Sequence, residues 1–294
     1  MALSGLELRR AKRELRSLEG SVSLVLLKDG DEKLENGMKE FARTLSKLSD
    51  RIKLKFEKSP AQTPALAIES IGRKAVIYRT LPAGRRLKPF LETLKAAAKK
   101  ELPEVGLKLS NPGREVELLI FTTSVCPHCG KVVKQCNLLA LSKNWIKSVV
   151  MDVLAEEKLR EEYAVAATPT LVVDRKLKLE GETSLDEIVD AIEAVLDRRR
   201  RREVVRHMLT KGLAEKAGEW AVREEGIAEV LVDLIADQNM RVKIGAMLAL
   251  EELFKASPEM LERLGSAFEK LLNHEKENVR GDAAWLIERA KKFI

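Results

Sequence analysis

The chain has 294 residues, of which 45% are hydrophobic and 34% charged, and this composition predicts a folded globular protein of two or three domains. No apolar run approaches the ~20 residues of a membrane-spanning helix, no secretory signal opens the chain, and three cysteines are too few for a disulfide framework. The net charge of +7 is small for this length and argues against a nucleic-acid partner. We therefore expect a cytoplasmic protein that makes no contact with a membrane.

The first part of the chain predicts alternating helices and strands. Apolar residues recur at steps of three and four over 31–48, as on one face of a helix, and alternate with basic residues over 52–56, as in a strand. The predicted elements are helices over 5–18, 31–48 and 87–98 and strands over 21–27, 52–56, 63–68 and 74–78. This order, α-β-α-β-β-β-α, predicts a first domain over residues 1–103.

The second part repeats much of this order. It predicts strands over 116–121, 145–151, 168–173 and 175–179 and helices over 126–141, 154–163 and 184–196. A Thr-Pro pair opens a strand in each part, at Thr63-Pro64 and at Thr168-Pro169. Such self-similarity predicts a duplicated domain with a seam near Pro103 or the turn at 110–113 and a second domain over 104–197.

From residue 198 onward the pattern is helical throughout. A fixed offset aligns one apolar set with another, Leu234, Val242, Ala246 and Leu250 with Leu271, Val279, Ala283 and Ile287. Paired helices of this kind predict an all-α, HEAT-like repeat domain over 198–294 that binds a protein partner. We expect Trp220 and Trp285 in its core, with partner anchoring as the alternative. The basic run 198–202 is interpreted as a solvated linker, with a patch for nucleic acid or an acidic partner as the alternative.

The sequence Cys126-Pro127-His128-Cys129 directly follows a predicted buried strand and opens a predicted helix. The first turn of a helix carries unpaired N–H groups and a partial positive charge, which favours a thiolate at Cys126 and lowers its pKa. Cys129 lies one turn further on, so Cys126 is the candidate nucleophile and Cys129 the resolving thiol of a mixed disulfide. His128 adds positive charge that raises the oxidising power of the pair.

A zinc site is the alternative interpretation of a Cys-X-X-Cys motif. The chain has no second such motif, and only Cys136, His128, His207 and His274 remain as ligands, so we predict no metal. Cys136 follows Cys129 by two helical turns, a rise of about 10 Å, which exceeds the ~7 Å limit on the Cα separation of a disulfide. We expect Cys136 to be a buried, small apolar thiol. Neither a phosphate-binding glycine loop nor a dinucleotide motif occurs, so no cofactor is predicted.

The second element of the predicted site is Thr168-Pro169. A proline that opens a strand lacks an N–H group and therefore lies at an edge or beside a ligand. A cis bond here would turn the preceding backbone toward the cysteines and leave its polar groups free for an extended partner chain. We expect Thr168, Pro169 and Pro127 to bind the substrate.

The order strand, Cys126-Pro127-His128-Cys129 helix, strand, helix, Thr168-Pro169 strand, strand, helix resembles the thioredoxin fold. The Cys-Pro-His-Cys form resembles that of the periplasmic disulfide oxidants. The tandem arrangement, with Tyr78 to Gly84 as a shared turn, resembles the glutaredoxin-like protein disulfide oxidoreductases of archaea and thermophiles and the flavin-containing peroxiredoxin reductases. The resemblance implies a fold of two tandem thioredoxin-like domains. It implies exchange with protein thiols and disulfides, and a flavoprotein thioredoxin-type reductase or a peroxiredoxin as a partner. Scarce glutamine among abundant charges is also typical of thermophiles.

Two positions depart from this family. The first half has Lys28-Asp-Gly-Asp-Glu-Lys33 in place of the cysteine motif and therefore has no thiol to exchange. Ile120 occupies the place of the buried acid of thioredoxins. The sequence predicts a protein dithiol–disulfide oxidoreductase. Its alternative is a non-catalytic interaction scaffold with a vestigial or regulatory cysteine pair.

Overall fold

The computed structural model describes residues 3–28, 32–59, 63–99, 104–106 and 109–293. The chain forms two compact units, Met1–Val189 and Asp190–Ile294. Pro103 and the centre of the segment that replaces the cysteine motif, residues 29–31, lie outside the described residues. Within the described part, no helix is both long and apolar enough to cross a bilayer. The domain boundaries drawn from the sequence stay predictions.

The first unit contains the predicted helices and strands with small shifts at their ends. The first half has α1 (Gly5–Leu15), β1 (Val22–Lys28), α2 (Glu32–Leu48), β2 (Ile52–Lys58), β3 (Ala65–Ser70), β4 (Arg73–Tyr78) and α3 (Leu87–Ala97). The second half has β5 (Val116–Thr122), α4 (Cys129–Ser142), β6 (Ile146–Asp152), α5 (Glu157–Glu162), β7 (Thr170–Val173) and β8 (Leu177–Glu180). The helix α6 (Leu185–Leu196) follows, and its start is closed by a capping box between Ser184 and Glu187.

One mixed sheet of eight strands runs through this unit in the order β2-β1-β3-β4-β6-β5-β7-β8. The strands β4 and β6 join the two halves as a parallel pair, with Ile77 opposite Val149. Because β6 also pairs in parallel with β5, the carboxyl ends of β4, β5 and β6 meet at one edge of the sheet. The loops that follow β4 and β5 therefore lie side by side, and this edge holds the candidate site.

A buried polar cluster links the helix α4 to both halves. The side-chain amide of Asn137 donates to the hydroxyl of Tyr78 at 3.0 Å and to that of Thr93 at 2.9 Å, and Ser148 donates to its oxygen at 2.7 Å. Burial raises the pKa of Tyr78 well above its ordinary value, so the phenol stays protonated. Every partner of Asn137 is itself buried or held in the core, so the cluster fixes α4 against β4, α3 and β6.

The strand that the sequence predicts over 175–179 begins later than expected. Asp174 and Arg175 have φ angles of 49° and 61°, so they form the turn between β7 and β8, and the strand starts at Leu177. A left-handed backbone cannot continue a strand ladder, which explains the shift. The predicted turn at 110–113 is present, with Gly113 at a φ of 76° and its N–H bonded to Asn111.

The second unit is helical in its described part. Its α-helices are α7 (Arg201–Thr210), α8 (Ala214–Arg223), α9 (Ile227–Leu234), α10 (Met240–Ala256), α11 (Met260–Arg263), α12 (Gly265–Leu272) and α13 (Glu277–Ala290). The apolar residues aligned in the sequence are buried except Ile287, which is half-buried. The predicted HEAT-like arrangement is compatible with this burial and stays a prediction.

The two tryptophans of this unit have different environments. Trp220 is buried, as predicted. The prediction for Trp285 is wrong, because its side chain is 52% exposed. The buried stripe of α13 runs through Val279, Ala283 and Leu286, which leaves Trp285 on the outer face, where Arg289 stacks on its ring at 5.4 Å.

Candidate active site

The Cys-Pro-His-Cys motif follows the carboxyl end of β5, with Cys126 in the loop after this strand and Cys129 at the start of α4. Cys126 and Cys129 form a disulfide with their Cα atoms 5.5 Å apart. Cys136 takes no part in it: the thiol is free and fully buried, and burial raises its pKa well above the ordinary value. The predictions that Cys126 and Cys129 lie close together and that Cys136 is a buried thiol are confirmed.

The helix α4 begins at Cys129, not at Cys126 as the sequence pattern suggested. Residues 126–128 form the turn that leads into the helix. The N–H of Cys129 donates to Sγ of Cys126 at 3.1 Å, so this sulfur accepts a free N–H group of the first helical turn much as a capping oxygen does. The Cys126 side is also the more accessible, with 6% of that residue exposed against 1% of Cys129.

The Thr168–Pro169 bond is cis. Sγ of Cys126 lies 3.5 Å from the carbonyl oxygen of Thr168, so the structure brings the two predicted elements of the site together. In the described part of the chain, the N–H of Thr168 has no hydrogen-bond partner. Thr168, whose carbonyl lies beside the sulfur, therefore has an unpaired main-chain N–H among the described residues.

His128 is exposed next to the disulfide and pairs with a residue that the sequence did not point to. Its Nδ1 lies 2.7 Å from Oε2 of Glu182, whose other oxygen accepts a hydrogen bond from Lys131 at 2.5 Å. The bonds from Lys131 and His128 lower the pKa of the Glu182 carboxyl. Glu182 follows β8 and lies far from the cysteines in the chain, so no residue spacing in the sequence predicted its contact with His128.

A loop of the first half packs against the loop that carries Cys126. The N–H of Arg85 donates to the carbonyl of Ser124 at 3.1 Å. Gly84 has a φ of 61°, and a Cβ atom there would lie 2.8 Å from the same oxygen, so the close approach requires glycine. Its N–H is held by Glu7 of α1 at 2.7 Å. The half without cysteines thus forms one wall of the site, a contact that the sequence did not predict.

Ile120 is fully buried in β5 between Val150 and Leu171, so an apolar side chain occupies the place where thioredoxins carry an acid. Among the described residues, no group of three or more His, Cys, Asp or Glu side chains gathers where it could hold a metal ion. The exposed ring of Pro127 completes the turn between the cysteines.

Residues 115–193 match the family model of the thioredoxin domain. The match runs from β5 through most of α6 and includes the cysteine pair and Thr168-Pro169. The region therefore has a thioredoxin-like fold with a cysteine pair at disulfide distance, as the resemblance implied.

Two solved structures share this fold over a longer stretch. One is the alkylhydroperoxide reductase AhpF of Enterococcus faecalis, at 16% identity and a TM-score of 0.57, over 65% of this chain and 100% of that chain. The other is a protein disulfide oxidoreductase from Aeropyrum pernix, at 16% identity and a TM-score of 0.55, over 66% of this chain and 93% of that one. At this identity they establish similarity of fold. A comparison with curated proteins finds no match.

Proposed function

We propose that the chain is a thiol–disulfide oxidoreductase that exchanges disulfides with partner proteins through Cys126 and Cys129. The observation that carries the proposal is the position of the Cys126 sulfur. Cys126 is the more exposed residue of the pair, and its sulfur accepts the N–H of Cys129 and lies beside the carbonyl of Thr168. A thiolate at this sulfur is stabilised by the start of α4 and faces main-chain groups that can hold an extended chain.

In the reducing direction, the thiolate of Cys126 attacks one sulfur of a partner disulfide. A mixed disulfide forms, and the second partner sulfur leaves as a thiolate that takes up a proton. The thiolate of Cys129 then attacks Sγ of Cys126 and releases the first partner sulfur. Two electrons pass from the cysteine pair to the partner, and the Cys126–Cys129 disulfide forms; the oxidising direction is the reverse.

The remaining site residues have binding and tuning roles in this proposal. Thr168 and Pro169 position the partner chain next to Cys126, and Pro127 contacts it from the other side of the sulfur. His128 adds positive charge when it is protonated, which favours the thiolate and the reduced form of the pair. Glu182 holds the imidazole in place through the 2.7 Å contact.

The proposal extends to the rest of the chain. The first half has the element order of a second thioredoxin-like domain without its thiols, and it buttresses the redox loop through Gly84 and Arg85. The helical unit is proposed to be a HEAT-like module that selects a partner protein. A flavoprotein reductase or a peroxiredoxin is a partner that fits this design.

Turnover of a protein disulfide with a thiol reductant tests the proposal. The full-length chain is expected to accelerate the reduction well above the rate of the reductant alone, and Cys126→Ser is expected to lose the acceleration. Cys136→Ser serves as the matched control, because that thiol is buried and away from the exchange. A rate no higher than that of the reductant would instead favour the non-catalytic scaffold.

A further inference from the structure

An open, strongly basic pocket adjoins the disulfide. It has a volume of about 480 Å³, and its wall includes Pro127 and Gly130, the chain neighbours of Cys126 and Cys129. Five cationic side chains and one carboxylate face it, namely Arg10, Arg85, Lys88, Lys131, Lys134 and Glu92. A partner segment joined to Cys126 through a mixed disulfide passes beside this pocket.

The positive charge of the pocket is only partly compensated. Glu92 lies 3.1 Å from Lys134 and 3.9 Å from Lys88, and Lys131 is paired with Glu182. Within the described ranges, neither Arg10 nor Arg85 has a carboxylate within 4.0 Å. Arg85 is thus open to an anion, whereas the charge of Arg10 already acts on the nearby Glu7 carboxylate. Guanidinium groups bind carboxylates in a bidentate manner.

Both halves of the sheet contribute to this charge. The cations from the first half lie on α1, on the turn after β4 and at the start of α3, whereas Lys131 and Lys134 lie on α4. The hydrogen bond between the Arg85 N–H and the Ser124 carbonyl fixes the cationic wall against the redox loop. The half without thiols therefore carries most of the cations next to the thiols of the other half.

We propose that this pocket recognises an acidic segment of the partner protein, within a few residues of the partner's reacting cysteine. The inference rests on the proposed exchange of protein disulfides and adds its substrate class. Attraction between the pocket and aspartate or glutamate side chains raises the rate of encounter and holds the segment during exchange. Since the cations are exposed, salt weakens the effect, with a Debye length of about 10 Å at 0.1 M ionic strength.

The test compares two peptide disulfides of identical length and sequence, except that glutamates and aspartates next to the cysteine in one are glutamine and asparagine in the other. At low salt, we expect kcat/KM for the acidic peptide to exceed that for the neutral one about tenfold. The Arg85→Gln/Lys88→Gln double variant lowers this ratio at least about threefold. The Arg85 side chain is changed while its N–H, which bonds Ser124, is kept.

The double variant Lys47→Gln/Lys53→Gln is the matched control, because it removes the same charge from exposed positions outside the pocket. It is expected to keep the ratio of the wild type. If the wild type turns the peptides over, an equal ratio in the pocket variant and the control, or no preference for the acidic peptide in the wild type, overturns the proposal.

Binding separates this proposal from the proposed function. An acidic peptide with serine in place of cysteine is titrated into the wild-type protein and into the pocket variant, and the Kd is measured. Weaker binding to the pocket variant, together with absence of turnover of either peptide disulfide, would support the acidic pocket and refute the oxidoreductase. Equal binding to both proteins would refute the acidic pocket, whatever the turnover.

Discussion

The two halves of the eight-stranded sheet share an order of elements but differ in what surrounds their Thr-Pro pairs. The carbonyl of Thr168 lies 3.5 Å from Sγ of Cys126. The carbonyl of Thr63 instead accepts a hydrogen bond from the hydroxyl of Ser59 at 2.8 Å, and its side chain accepts one from Arg79 at 3.2 Å. The carbonyl and the hydroxyl of Thr63 are therefore already bonded within the chain, which favours a structural role for Thr63-Pro64.

Both halves therefore have the same arrangement of strands and loops, but only the second half has the sulfur atoms that disulfide exchange requires. The first half keeps the scaffold and contributes Gly84 and Arg85 to the wall of the site. The second half contributes the sulfurs.

The largest expected effect is the loss of the nucleophile. Cys126→Ser is expected to lower disulfide turnover at least about a thousandfold, because Cys129 and Cys136 are too deeply buried to attack a partner disulfide in its place. Turnover of a protein disulfide is the measurement, with Cys136→Ser retaining most of the wild-type rate. Activity that survived Cys126→Ser would assign the exchange to another group.

The next largest effect is expected where Gly84 of the first half packs against the loop that carries Cys126. Gly84→Ala would place an alanine at a φ of 61° with its Cβ atom 2.8 Å from the carbonyl oxygen of Ser124. Because both the backbone angle and this contact are unfavourable, we expect the free energy of unfolding to fall by about 2–4 kcal/mol. Gly72→Ala is the control, since Gly72 has a φ of 70° but open space around it, and should lose only about 1 kcal/mol. Denaturant unfolding measures both. Equal losses would show that the contact between the halves adds nothing.

His128 is expected to tune the pair by a smaller amount. Replacing it with alanine removes the imidazole that is proposed to favour the thiolate, which destabilises the reduced form and makes the pair a weaker oxidant. The reduction potential of the Cys126/Cys129 couple is expected to fall by roughly 30 mV, equivalent to about 1.4 kcal/mol. Equilibration with a thiol buffer measures it. A potential that rose or stayed constant would remove the tuning role from His128.

The smallest effect concerns Glu182, whose carboxyl pKa lies below its ordinary value of 4.5 because Lys131 and His128 bond to the charged form. The ion pair is therefore complete above that ordinary value and is lost as the pH falls through the lowered pKa. Lys131→Gln should move the titration midpoint of Glu182 back toward 4.5, as followed by carboxyl NMR. Lys134 contacts Glu92 and not Glu182, so Lys134→Gln should leave the titration midpoint of Glu182 unchanged.

Much of the first unit could be predicted from the sequence because its signals are local. Alternating or continuous apolar residues mark β1 to β8, and the Cys-Pro-His-Cys turn follows β5 as the pattern required. Thr168-Pro169 was found because a proline at the start of a strand has few places in a sheet. The pairing of β4 with β6 was not foreseen, since strand order depends on packing between distant segments.

The contacts that complete the site escaped prediction for the same reason. The contact of Glu182 with His128 and that of Gly84 with Ser124 join residues far apart in the chain. Trp285 was misplaced because its helix has apolar residues on more than one face, and only packing decides which of them is covered. Local periodicity predicts elements, whereas the site depends on how the elements meet.

Trapping of mixed disulfides tests the central claim most directly. The full-length Cys129→Ser variant keeps the proposed nucleophile but lacks the resolving thiol, so it is expected to accumulate covalent complexes with protein disulfides, linked through Cys126 and released by reductant. The Cys126→Ser variant is expected to accumulate none, because the sulfur of Cys129 is almost wholly buried. Equal trapping by the two variants, or trapping by Cys126→Ser alone, would contradict the assignment of Cys126 as the sulfur that attacks the partner.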